Sequence, residues 1–177
     1  MSIADAFEKA FQRKLEKGWE KIYVVVDIHD TILRACYDKA EAYDYYPYAK
    51  EALQIMSYRD DICLILWSGS PIEVLETYRN RFAVDGIRFE YINENPEVSN
   101  STFQNFDKKL YFNVGIDDRF GFDPDTDWLE VIMSLNAVIW TIDEIDTYYL
   151  YNDYVDFKDN RNSSRIETIK CDLSAYG

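Results

Sequence analysis

Three polar clusters in this 177-residue chain, each directly after an apolar run, have the residue types that chemistry requires. Asp27 ends the run Ile22-Tyr23-Val24-Val25-Val26 and is followed by His29, Asp30 and Thr31. Ser68-Gly69-Ser70 ends the run from Ile62 to Trp67, and Asp117-Asp118 ends the run from Leu110 to Ile116, with Lys108 and Lys109 just before it. A carboxylate can attack phosphorus to form an acyl phosphate, which divides hydrolysis of a phosphomonoester into two easier displacements. A divalent cation and cationic or hydroxyl donors then offset the charge on the equatorial oxygens. Asp27 is the candidate for the attack. Ser68 and the neighbouring backbone N–H groups suit a phosphoryl oxygen, and Lys108 or Lys109 can reach it as a point charge. Imidazole exchanges protons near neutral pH, so His29, the single histidine of the chain, is the candidate acid/base.

Each cluster taken alone has an ordinary structural explanation: Asp27 as a turn or cap residue, Ser68-Gly69-Ser70 as a helix cap, and the lysines as solvated charges. Whether they act together depends on the elements that must position them. Ile22–Val26 is a continuous β-branched run, as in a central strand covered on both faces. A helical stretch follows from Pro47, the second buried run is a second strand, and Pro71 opens another helix through Val74, Leu75, Tyr78 and Phe82. A short strand is expected from Ile87 to Ile92, a third long one from Leu110 to Ile116, and a helix from Trp128 to Leu135. At the N-terminus, Phe7, Ala10, Phe11 and Leu15 have helical spacing, with Ser2 as N-cap and Gly18 as stop. Strands alternating with helices imply an α/β fold, a Rossmann-like three-layer sandwich with a central, mostly parallel sheet. In such a sheet Asp27, Ser68, Asp117 and Asp118 share one edge, where the carboxylates repel unless a cation joins them. A bound divalent metal is therefore expected.

The segments VVVDIHDTIL, LILWSGS, the KKL lysines and VGIDDRF, in that order over residues 21–128, resemble the four motifs of the haloacid dehalogenase-like (HAD) superfamily of phosphatases. The resemblance implies Mg2+ as cofactor, Asp27 as nucleophile and metal ligand, and Asp118 as acidic metal ligand, with Asp117 behind it or sharing that role. It further implies a metal contact from the backbone carbonyl of His29, phosphate or substrate binding by Thr31, Ser68 and Gly69, and Lys109, preferred to Lys108, as the phosphate-binding lysine. Two positions depart from the pattern: His29 stands where the family has a second aspartate, and Asp30 where it usually has glycine. The first departure keeps a second expectation open, a weakened metal- and phosphate-binding or protein-interaction module. Too few residues separate the motifs for a sizeable cap domain. Such members act on large substrates or complete their sites by oligomerising, so a homo-oligomer is among the expectations. Asp117-Asp118-Arg119 is similar to the fourth motif of polynucleotide-end phosphatases, which suggests a nucleotide or a phosphorylated nucleic-acid end as substrate.

Composition narrows the remaining classes. Hydrophobic residues at 47% and aromatics at 16% exclude a disordered chain. The length suits one domain, here 1–177, with a core of about 21–135, an N-terminal helix at 2–17 and a tail at 136–177 of mixed signals. A net charge of −14 argues against generic nucleic-acid coating. Cys36, Cys63 and Cys171 are widely spaced and odd in number, as free thiols are in a reducing cytoplasm. Neither a signal peptide nor a membrane-spanning run is discernible, so a cytoplasmic protein without membrane association is expected. The Tyr-rich stretches at 43–48 and 148–154 are read as packing and solvated edges, and Asn93-Glu94-Asn95-Pro96 as an ordinary loop.

Overall fold

A computed structural model of the chain describes residues 2–36, 43–106 and 108–135. The expectations for the tail at 136–177, including Cys171 and Tyr148–Tyr154, lie outside these residues. Helix α1 spans Ile3–Lys17 between a Ser2 capping box with Asp5 and a left-handed Gly18. Strand β1 (Ile22–Val26), α2 (Ala49–Ser57), β2 (Ile62–Leu66), α3 (Ile72–Val84), β3 (Tyr91–Ile92), β4 (Val114–Ile116), a 3-10 turn at Asp118–Phe120 and α4 (Asp127–Ser134) follow. The four strands form one parallel sheet in the order β3-β2-β1-β4. This is the α/β, Rossmann-like architecture expected from the alternation of runs.

Strand alternation divides the core. Ile22, Val24 and Val26 of β1, Ile62, Leu64 and Leu66 of β2 and Val114 and Ile116 of β4 face a large cluster that includes buried residues from all four helices. Val25, Cys63 and Ile65 face the other way, with Tyr23, Trp67, Tyr91 and Leu110 packed on them. The handedness of crossovers accounts for both layers. Two successive right-handed crossovers, β1 to β2 and β2 to β3, step in one direction and place α2 and α3 on one face. The connection from β3 to β4 reverses direction, so residues 93–106 and 108–113 cross the opposite face. They are fastened there by Glu97, which accepts from Lys21 Nζ at 3.0 Å, Tyr23 Oη at 3.1 Å and Tyr91 Oη at 2.9 Å. Beneath this layer burial pushes the Cys63 thiol up to about 12, as befits a packing residue rather than a nucleophile.

Two strands are shorter than the apolar runs. Ile87 and Phe89 are buried, but pairing with β2 starts only where the Glu90 N–H donates to Leu64 O at 2.9 Å, so β3 is confined to Tyr91–Ile92. Leu110 belongs to the crossing layer, and β4 starts at Val114. An apolar run marks contact with the core, which an extended segment such as residues 87–89 makes without a ladder. Residues 27–48 make no separate domain among the described residues; Leu33 and Tyr45 form an antiparallel bridge and Tyr46 N–H donates to Ile32 O at 3.0 Å. No helix among the described residues is long and apolar enough to cross a membrane.

Candidate active site

The register of the sheet decides which residues meet. Val26 of β1 is level with Leu66 of β2 and Ile116 of β4. One residue further on, Asp27 N–H donates to Ile116 O at 3.0 Å and Trp67 N–H donates to Val26 O at 2.9 Å. Asp27, Trp67-Ser68 and Asp117-Asp118 therefore leave the sheet side by side at its carboxyl end. The strand order reverses at β1, which makes this the topological switch point where α/β sheets bind ligands. A cleft of about 440 Å3 opens here, lined by Asp27, His29, Ser68, Gly69, Asp118 and Arg119 among others.

One carboxylate oxygen each from Asp27, Asp117 and Asp118 lie within 4.8 Å of one another. Burial pushes Asp27 up to about 6, opposed by the Ile28 N–H and reinforced by Asp117 and Asp118. Asp117, buried, is also raised, chiefly by desolvation, while Arg119 N–H donates to its Oδ1 at 2.8 Å. Asp118 is exposed at the mouth. Three hard oxygen donors in mutual conflict suit Mg2+, which takes few protein ligands and keeps part of its water shell. The donor set thus fits the cation that the resemblance implies.

His29 sits at the cleft wall, its Nε2 3.2 Å from the hydroxyl oxygen of buried Tyr78, with the two rings nearly perpendicular at 85°. With Nε2 engaged by Tyr78, Nδ1 is the ring nitrogen left for another partner. Asp30 has φ 55°, in the left-handed region, which accounts for a position where glycine is usual and aspartate tolerated. Its carboxylate accepts from Ala35 N–H at 3.1 Å and holds the loop rather than a ligand.

Two expectations are not met in this geometry. Thr31, expected to bind substrate, is fully buried: its Oγ1 accepts from Asp118 N–H at 3.2 Å and its carbonyl accepts from Trp128 Nε1 at 2.9 Å. It joins the loops after β1 and β4 and anchors them to α4. Lys108 and Lys109 are exposed in the segment before β4 and do not line the cleft. A strand carries its preceding residues to the end of the sheet opposite its following ones, and here no helix intervenes to bring the lysines back.

A residue without a role in the sequence reading shapes the second motif. Asn93, just after β3, accepts from Ser68 N–H at 2.9 Å and donates through Nδ2 to Ser68 O at 2.7 Å. The Ser68 N–H is thereby occupied, and Ser70 N–H donates to Ser68 Oγ at 3.5 Å, which leaves the Ser68 O–H and the Gly69 N–H for a ligand. Gly69 is exposed, and a Cβ there would meet nothing within 4 Å, so its backbone is open to close approach. Asn93 has φ 54°, and a polar side chain with this backbone preference directly after a strand is the signal that could have pointed to it. Asn93→Ala should cost roughly 1–2 kcal/mol through the two lost hydrogen bonds. Asn93→Gly, which relieves the left-handed backbone, should recover part of that loss. Thermal denaturation checks the pair, and equal stability of both variants with wild type would show the clamp to be incidental.

No family model matches the chain, and no curated protein matches it. A solved structure of a conserved protein from Bacteroides thetaiotaomicron is similar to it, with 28% identity and a TM-score of 0.50, covering 64% of this chain and 88% of that one. The neighbour supports the parallel α/β sheet, and its description names no activity.

Proposed function

We propose that the protein is an Mg2+-dependent phosphomonoester hydrolase of the haloacid dehalogenase-like type, acting through an aspartyl phosphate on Asp27. The observation that carries this reading is the convergence of Asp27, Asp117 and Asp118 with His29 and the Ser68 loop in one cleft at the switch point. Mg2+, held by the carboxylates of Asp27 and Asp118 with Asp117 behind them and the His29 carbonyl beside them, would neutralise charge on the phosphoryl oxygens. An Asp27 carboxylate oxygen attacks phosphorus, the Asp27–phosphorus bond forms, and the bond to the leaving oxygen breaks. His29 gives its Nδ1 proton to that oxygen while Nε2–H donates to the Tyr78 hydroxyl oxygen. Nδ1 then takes a proton from water, which attacks the aspartyl phosphate, frees inorganic phosphate and restores both side chains. The Ser68 O–H and the Gly69 N–H orient the phosphoryl group.

The cleft has no separate covering domain among the described residues, which favours a phosphate at the end of a larger molecule, a nucleotide or a nucleic-acid terminus. The test is phosphate release from sugar phosphates, nucleotides and phosphate-ended oligonucleotides, with Mg2+ and with EDTA. Release that needs Mg2+ and is fastest on nucleotides or oligonucleotide ends is expected. No release from any substrate, with calorimetry showing Mg2+ bound, would replace the hydrolase with a metal- and phosphate-binding module.

A further inference from the structure

The cleft brings together three carboxylates, those of Asp27, Asp117 and Asp118, and, among its lining residues, a single arginine, Arg119. Arg119 is exposed and makes no ion pair among the described residues, although its positive charge acts on both Asp27 and Asp117. Arg119 thus lines the cleft beside the carboxylates without closing on any of them. The backbone that carries it is held on several sides. Asp117 Oδ1 accepts the Arg119 N–H, Gly121 N–H donates to Asp118 O at 3.0 Å with φ 89°, and Phe120 lies on Gly115, where a Cβ would come within 2.8 Å of the ring. Phe120 also stacks on Phe112, with their planes 9° apart. The turn thus holds Arg119 at the cleft before any ligand arrives, and a planar guanidinium matches two phosphoryl oxygens at once.

Resting on the hydrolase reading above, we propose that Arg119 is a catalytic residue that contacts the equatorial oxygens of the transferred phosphoryl group. It fills the place that the resemblance gives to Lys109, which lies away from the cleft. As the Asp27–phosphorus bond forms and the leaving oxygen departs with its electron pair and the proton from His29, the three equatorial oxygens keep their charge facing the acidic cluster. Arg119 is the side chain placed to offset it.

The experiment measures kcat/KM for p-nitrophenyl phosphate with Mg2+ for wild type and for Arg119→Ala, Arg119→Lys, Lys109→Ala and Asp27→Asn, with added guanidinium chloride as a chemical rescue of Arg119→Ala. Arg119→Ala should lose about 10²–10³-fold, Arg119→Lys should recover part of this, and guanidinium should raise Arg119→Ala but not Asp27→Asn. Rescue is a readout that a merely structural arginine would not give. Arg119→Ala turning over like wild type, or Lys109→Ala losing as much as Arg119→Ala is expected to lose, would overturn the assignment. Binding of orthovanadate by calorimetry separates this proposal from the hydrolase reading. If wild type releases no phosphate, the hydrolase reading fails. The anion contact then stands only if vanadate affinity falls at least about thirtyfold in Arg119→Ala, and it falls with the reading if affinity is unchanged.

Discussion

Asp27→Asn should reduce phosphate release by roughly 10⁴–10⁶-fold, and the same substitution should make the metal-free protein more stable at pH 7. The two effects have one cause. The amide keeps the shape of the side chain but cannot attack phosphorus, so no acyl phosphate forms. It also removes a charge that the fold accommodates poorly, since burial, with Asp117 and Asp118 opposite, raises Asp27 from 3.8 to about 6. A carboxyl group raised in the folded state favours the fold while protonated. That contribution is fully present below pH 3.8 and is lost as pH rises through about 6. Because the group is partly in contact with water, the loss amounts to roughly 1–2 kcal/mol, or a few degrees in Tm for a chain of this size.

The difference in Tm between Asp27→Asn and wild type, measured in EDTA, should therefore grow between pH 4 and pH 7. Taking the difference cancels Asp61, Asp85 and Glu97, whose ion pairs hold them below their ordinary values and destabilise both proteins alike in acid. Added Mg2+ should raise the wild-type Tm at pH 7 and leave Asp27→Asn nearly unmoved. A difference that stays flat across this range would mean that Asp27 is under no electrostatic strain, and the case for a cation held by the three carboxylates would fail.

What the sequence conveys about this site follows from what a strand does. A buried run ends where its first charged residue appears, and parallel strands in register bring their ends together, so Asp27, Ser68, Asp117 and Asp118 could be placed in one cleft without coordinates. Ser2 and Gly18 marked α1 for the same local reason, because capping is decided by a few neighbouring residues. Where the outcome depended on three-dimensional neighbours, the reading missed. Thr31 has the small hydroxyl side chain of a phosphate ligand, and only the packing of Trp128 and the Asp118 loop shows it buried. Lys109 has the right charge and chain order, but the segment before β4 runs across the far face of the sheet and leaves it outside the cleft. Asn93 has ordinary loop chemistry, and its clamp on Ser68 arises because β3 and β2 end side by side.

His29 is where the chain departs from the double aspartate of the resembling family, and the leaving group can be used to test what the departure does. A general acid matters in proportion to the basicity of the oxygen it protonates. An alkoxide leaving a sugar or nucleoside phosphate needs the proton, whereas p-nitrophenolate departs without it. His29→Ala should therefore slow an alkyl phosphate by about 10²–10⁴-fold while costing p-nitrophenyl phosphate about tenfold or less in the phosphorylation step. Tyr78 makes this expectation specific, because its hydroxyl lies 3.2 Å from Nε2 and leaves Nδ1 as the ring nitrogen for the proton transfer. Tyr78→Phe keeps the ring that stacks on Phe82 and should reproduce the same leaving-group dependence at smaller amplitude. His29→Asp, which restores the acid of the resembling pattern, should recover alkyl phosphate turnover relative to His29→Ala. Single-turnover rates on the two substrate classes decide the matter. An equal loss on both would show that His29 orients the loop instead of moving a proton, and no loss on either would remove it from the reaction.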